Sequence, residues 1–175
     1  MAILQRALKR LKAGKMGKEK IPATPAILFM KKSGMEFTLR PYRYEEHGGT
    51  AVAARELGVD ENMVIKTLVM EDDGGKPLII LMHGDKKVST KSLARTIGAK
   101  SVDPCEPGVA ERHTGYRVGG TSPFGTKHSL RIYMEEDIAF LPKILINAGS
   151  RGVLAEMAPA ELIRTLDPVR VKVAL

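Results

Sequence analysis

Hydrophobic and polar positions change period several times along this chain, and each change predicts an element. Thr24-Pro25 opens a helix, with Thr as N-cap and Pro at the first helical position. Ala26, Ile27, Leu28 and Met30 continue it, and Gly34 ends it. Phe37 to Tyr42 alternates and reads as a strand. Residues 50–57 are Ala-rich and helical, with Gly58 as the stop. Lys66 to Glu71 is strand-like, Asp72-Asp73-Gly74-Gly75 is a hairpin signal, and Pro77 to Met82 returns. Ser89-Thr90 caps a helix through Ile97, closed by Gly98. Val102-Asp103-Pro104 leaves that helix, and a short helix follows near 107–113. Leu130 to Met134 and Ile144 to Asn147 are apolar strands. Ala158-Pro159 starts a last helix through Leu166, and Val169 to Val173 alternates as a closing strand. Hairpins and helices mixed without regular βαβ alternation predict an α+β fold on a mixed sheet.

Composition sets the class. At 175 residues with 43% hydrophobic content, one domain can bury a real core. Its expected span is 21–175, preceded by a basic extension over 1–20. No apolar run approaches the roughly 20 residues of a bilayer span, so no membrane partner is expected. The N-terminus lacks an apolar signal core, which predicts a cytoplasmic protein. Cys105, the single cysteine, excludes an intramolecular disulfide and a Cys-rich zinc site.

Net charge is +8, and it is unevenly placed. Residues 1–20 hold seven Lys and Arg against Glu19 alone, so six of the eight charges lie there. Ile3, Leu4, Ala7, Leu8 and Leu11 recur at helical spacing. Three readings of the extension compete: a solvated, disordered arm, an arm touching nucleic-acid phosphates, and a membrane-surface helix, disfavoured by its lack of Trp or Phe anchors. Met16 offers an alternative start. The near-neutral remainder argues against strong unaided nucleic-acid binding, and no DNA partner is expected.

Candidate chemistry concentrates in three places. Gly119-Gly120-Thr121-Ser122-Pro123-Phe124-Gly125 is a rigid loop rich in accessible backbone N–H groups. Such loops bind oxyanions, because Gly lets the backbone approach closely. Ile65-Lys66-Thr67-Leu68 places a lysine where an apolar strand begins. It reads either as an exposed strand-end cation or as a charge at a pocket mouth facing an oxyanion. Gly149-Ser150-Arg151-Gly152 puts a guanidinium on a glycine-flanked turn, for an ion pair or for an anionic ligand. Tyr116 reads as packing. His47, His83, His113 and His128 show no HxH or HExxH spacing, so no metal site is expected. No GxSxG, Walker or dinucleotide motif is present, so no nucleotide cofactor is expected.

These three segments, in this order and at these spacings, resemble the YbaK / prolyl-tRNA-synthetase-associated domain family of free-standing aminoacyl-tRNA editing deacylases. The resemblance runs from about Thr24 to Leu166. It implies a mixed, mainly antiparallel, partly open β-barrel-like sheet flanked by helices, with no cofactor. It implies that Lys66 is essential for deacylation and that Thr67 points to the cysteine-removing branch. Gly119 and Gly120 would be catalytic through backbone N–H groups. Tyr42, Ser122, Gly125, Asn147, Arg151 and Gly152 would line the substrate site. The implied activity is removal of Cys from mischarged Cys-tRNA(Pro), by attack of the substrate's own thiol and release of a cyclic thioester. A prolyl-tRNA synthetase would be a partner that lends tRNA recognition. The chain departs from the family pattern at Gly49, where cysteine-specific members carry an aromatic, at Asn147, in place of Ser, and at Leu154, in place of Asp. Those positions shape the acyl pocket, so an Ala or Ser editor stays open. A silent module that holds tRNA or a synthetase is the alternative outside catalysis. Cys105 has no generally conserved family counterpart and reads as an incidental thiol.

Overall fold

The computed structural model describes residues 21–175. The expected basic extension over 1–20 lies outside the described residues. Five helices are described, α1 (Pro25–Lys32), α2 (Gly49–Leu57), α3 (Thr90–Ile97), α4 (Pro107–Thr114) and α5 (Pro159–Leu166). Eight strands accompany them, β1 (Thr38–Pro41), β2 (Val64–Asp72), β3 (Pro77–His83), β4 (Val102–Pro104), β5 (Arg131–Glu135), β6 (Ile144–Ser150), β7 (Val153–Met157) and β8 (Val169–Val171).

The helix boundaries follow from local chemistry. Thr24 accepts the Ile27 N–H at 3.1 Å and caps α1. The same hydroxyl donates to the Ala148 carbonyl, so the cap also ties the helix to β6. Ser89 caps α3 by accepting the Ser92 N–H. Gly58 and Gly98 close α2 and α3 in the left-handed conformation that glycine adopts without a Cβ penalty.

One mixed sheet runs in the order β1-β7-β6-β2-β3-β5-β8, with β4 added to the far end of β2. Four pairings are antiparallel (β1/β7, β6/β7, β2/β3, β2/β4) and three parallel (β2/β6, β3/β5, β5/β8). The path ends on β1 and β8 and does not close. A large apolar cluster, including Ile27, Met30, Phe124, Ile146 and Leu162, packs α1 and α5 against this sheet. A second cluster around Ile80, Met82 and Leu93 seats α3.

Two strands differ from the sequence expectation. Residues 153–157 form β7, which hairpins onto β6 with a register shift between Asn147 and Ser150. Val102–Pro104 is a strand rather than a plain exit from α3, because it completes the edge of β2.

The edge of β2 creates the site. On one side β2 pairs with β3 from Ile65 to Glu71. On the other, β6 takes only Val64 and Ile65, and β4 takes only Met70 to Asp72. Residues 66–69 therefore face a gap in the sheet. Val69 turns its carbonyl toward that gap, where it accepts the Cys105 N–H at 3.0 Å. By the two-residue period of a strand, the main chain of Thr67 faces the same way.

Lys66 has a brace behind it. Its Nζ donates to the Lys86 carbonyl. The adjoining segment is held by residues far along the chain: Leu175 N–H donates to the Lys87 carbonyl at 2.8 Å, and Ser89 N–H to the Val173 carbonyl at 2.7 Å. The buried Glu135 carboxylate accepts the N–H groups of Val173 and Ala174.

Candidate active site

The gap beside β2 opens into a cavity of about 600 Å³. Its walls come from β2, the segment after β1, the start of α2, the loop at 118–121, the turn after β6, and the stretch from Pro104 to Ala110. Of the sequence-predicted residues, Lys66, Thr67, Gly119, Tyr42, Asn147 and Arg151 line it, and Gly120, Ser122, Gly125 and Gly152 do not. The three departures, Gly49, Asn147 and Leu154, all line it.

Lys66 is half-buried, and burial holds its ammonium below the usual lysine range, with Glu61 and Asp85 partly opposing that shift. Among the described residues no carboxylate pairs directly with it. Beside it, the Thr67 hydroxyl is buried and has no hydrogen-bond partner among the described residues. A buried hydroxyl without a partner is costly, and among the described residues only the Thr165 hydroxyl shares this state. Leu154 meets Ala53, Ala54 and Val64 in a small apolar cluster, which makes that wall of the cavity oily.

The opposite wall is built from the glycine loop and the turn after β6. Asn147 joins them: its Nδ2 donates to the Gly119 carbonyl at 3.0 Å and its Oδ1 accepts the Gly149 N–H at 2.7 Å. Arg151 adds a second tie, Nε to the Val118 carbonyl at 2.9 Å. Its guanidinium lies 5.4 Å from the centre of the Tyr44 ring, a cation–π contact. Among the described residues Arg151 forms no ion pair, so its charge remains available to an anion. Gly119 has φ +88°, and a Cβ there would stand 2.7 Å from the Tyr44 hydroxyl.

The rest of the predicted loop lies behind the wall. Gly120 spends its N–H on the Arg117 carbonyl at 2.9 Å and packs against the backbone of Ser150 and Arg151. Ser122 is fully buried, and its hydroxyl accepts the Phe124 N–H. Tyr116 donates its hydroxyl to the Phe124 carbonyl, and burial pushes that phenol up to about 12. Gly125 sits against the first turn of α1, where a Cβ would meet the Pro25 carbonyl oxygen at 2.6 Å. Gly152 shapes the hairpin, and its carbonyl accepts the Tyr42 N–H at 2.9 Å. Burial, with Tyr44 beside it, holds the Tyr42 phenol above its usual range, so it stays a neutral donor.

Tyr44 was not legible as a site residue. The available signal was its two-residue offset from Tyr42, which puts both rings on one side of an extended segment. Cys105 lines the far end of the cavity. Burial and the neighbouring Glu71 push its thiol up to about 12, which is the wrong direction for a nucleophile.

Comparison with known proteins identifies the family. Residues 45–165 match the family described as the aminoacyl-tRNA editing domain. A protein of Enterococcus faecalis, "Putative Cys-tRNA(Pro)/Cys-tRNA(Cys) deacylase EbsC", is 31% identical over 68% of this chain and 73% of its own length. A proline–tRNA ligase of Nitratidesulfovibrio vulgaris is 32% identical over 47% of this chain, a stretch that makes up 14% of the ligase. A solved structure described as "Crystal structure of a putative trans-editing enzyme for prolyl tRNA synthetase" superposes with a TM-score of 0.79 at 19% identity, covering 89% of this chain and 99% of that one. No described helix is long and apolar enough to cross a membrane. With the family matched over most of its length and a cavity assembled from the matched segments, this chain belongs to the aminoacyl-tRNA editing domain family.

Proposed function

We propose that the protein is a trans-acting deacylase that removes Cys from mischarged Cys-tRNA(Pro). The observation that carries this reading is the partnerless, buried Thr67 hydroxyl beside the half-buried Lys66 on the open edge of β2. A pocket of this kind offers an aminoacyl ester one cation and one hydroxyl, and supplies no nucleophile of its own. The printed description of the Enterococcus relative, as a Cys-tRNA deacylase, supports the choice of acyl group.

In this mechanism the cysteinyl sulfur attacks its own ester carbonyl. The bond from that carbon to the ribose oxygen breaks, and the thiol proton passes to the departing oxygen. A cyclic thioester leaves, and water opens it afterwards. Lys66 and Thr67 position the ester, and the developing oxyanion is met by backbone N–H groups of the loop where it lines the cavity, at Gly119 and Thr121. Gly120 has already donated its own to Arg117. Catalysis of this type rests on orientation and preorganised charge. Arg151 holds the tRNA end by its unpaired guanidinium. A prolyl-tRNA synthetase lends the tRNA body, since only about +2 of the net charge belongs to residues 21–175.

A second reading has one specific observation in its favour. Gly49, Asn147 and Leu154 line the cavity together. That combination suits an editor of Ala or Ser, which water must attack, because neither carries a thiol. Cys-, Ala- and Ser-charged tRNA incubated with the wild type and Lys66→Ala decide between them. Loss of cysteine that depends on Lys66 is the expected result. Wild-type turnover by Lys66→Ala would sink the site assignment. Lys66-dependent loss of Ala or Ser instead moves the specificity, and no loss of any acyl group leaves a binding module.

A further inference from the structure

A second cluster of reactive side chains stands at the far end of the cleft, away from Lys66 and Arg151. Glu71 lies on β2 where β4 pairs with it, Cys105 follows β4, and His113 lies in the last turn of α4. The Cys105 Sγ is 3.3 Å from Glu71 Oε1, and His113 Nε2 is 4.0 Å from the same oxygen. All three donor atoms lie within 4.8 Å of one another, and each residue is half-buried. Zinc bonds of about 2.0–2.3 Å in a tetrahedron separate their donors by about 3.4–3.6 Å. The observed spacings bracket that figure, so small side-chain rotations would close the site.

The surroundings favour a cation. A groove of about 270 Å³ leads to the cluster, and Glu71, Asp72, Asp73, Asp103 and Glu106 line it. Among the described residues none of these five carboxylates pairs with a Lys or Arg. This is an acidic funnel on a chain whose net charge is positive, and such a funnel concentrates cations locally. The donor set selects among them. Thiolate and imidazole prefer borderline and soft ions over Mg²⁺ or Ca²⁺, which take oxygen.

We propose that Glu71, Cys105 and His113 form a binding site for a thiophilic divalent cation of the Zn²⁺ class, entered through the acidic groove. On binding, the Cys105 S–H bond gives way to a metal–sulfur bond and its proton leaves to solvent. Three protein donors leave one coordination position of a tetrahedral ion for water or another ligand. Cys105 lines both the groove and the cleft, so that position lies at their junction. The site is separate from the deacylation proposal and does not depend on it.

The test uses untagged full-length protein titrated with Zn²⁺ and, separately, with Co²⁺. One equivalent should bind, and the Co²⁺ form should show thiolate charge-transfer absorption. Cys105→Ser should abolish that absorption, and His113→Ala and Glu71→Gln should each weaken Zn²⁺ by at least about tenfold, whereas His128→Ala should not. Saturating Zn²⁺ should also slow alkylation of wild-type Cys105, a readout that needs no variant to fold. The site is overturned by absence of a stoichiometric equivalent, by a Co²⁺ spectrum unchanged in folded Cys105→Ser, or by alkylation indifferent to Zn²⁺.

Discussion

The two halves of the glycine loop adjoin in sequence and serve different ends. Gly119 and Thr121 face the cavity, tied back by Asn147 and Arg151. Ser122 to Gly125 is sealed into the core beneath α1, with Ser122 and Phe124 fully buried. The first half needs glycine for what approaches it from outside. The second needs it for what already presses on it from inside. A motif that looks continuous in sequence is thus a working surface followed by its anchor, and the two should fail in different ways.

That division can be broken most forcefully at Gly125. Alanine there must hold φ +63° and push a Cβ to 2.6 Å from the Pro25 carbonyl oxygen. The strain and the clash together should cost about 3 kcal/mol or more. Denaturant unfolding would register the loss, while molecules that remain folded should keep normal deacylation. Gly119→Ala should do the reverse. At φ +88° an alanine is strained by about 1–2 kcal/mol, but its Cβ meets chiefly the Tyr44 hydroxyl, the end of a side chain that can swing, so stability falls less than at Gly125. The backbone lining the cavity at this point shifts, and single-turnover deacylation should drop about 100-fold. If Gly119→Ala proves mainly a folding mutant, the division of the loop is wrong.

Smaller effects sharpen the boundary. Ser122→Ala leaves the buried Phe124 N–H without its acceptor, and thermal unfolding should show a loss of about 1–2 kcal/mol with little kinetic change. Asn147→Ala removes its bonds to Gly119 and Gly149 and leaves the Arg151 tie to Val118 in place. It should lower deacylation several-fold and stability by about 1 kcal/mol, an intermediate signature suited to a residue that spans both regions.

Much of this architecture was legible before any coordinates. Thr24-Pro25 and Ser89-Thr90 announce their helices because capping is local chemistry, settled within four residues. β7 was not legible, since Val153–Met157 has no turn signal beyond Gly152 and becomes a strand only by meeting β6 and β1. β4 is three residues long and exists because β2 offers it an edge. At the site, Gly119 and Arg151 stood out by their glycine-flanked settings and Lys66 by its strand-end setting, while the family resemblance singled out Thr67 and moved Lys66 from surface cation to site residue. Whether a loop glycine faces outward or inward depends on α1, which no spacing within the loop encodes. Glu71, Cys105 and His113 escape spacing rules for the same reason: three separate elements deliver them.

The brace behind Lys66 bears on how the protein is made. The Lys86 carbonyl that receives the lysine belongs to a segment clamped by residues 173–175, which leave the ribosome long after Lys66 itself. Loop-closure entropy makes such distant pairings late steps in folding. A nascent chain would therefore carry all three candidate segments while its lysine was still unanchored. Editing competence should arrive abruptly, with the closing strand, so a partly synthesised copy would not strip aminoacyl-tRNA at the ribosome that is making it.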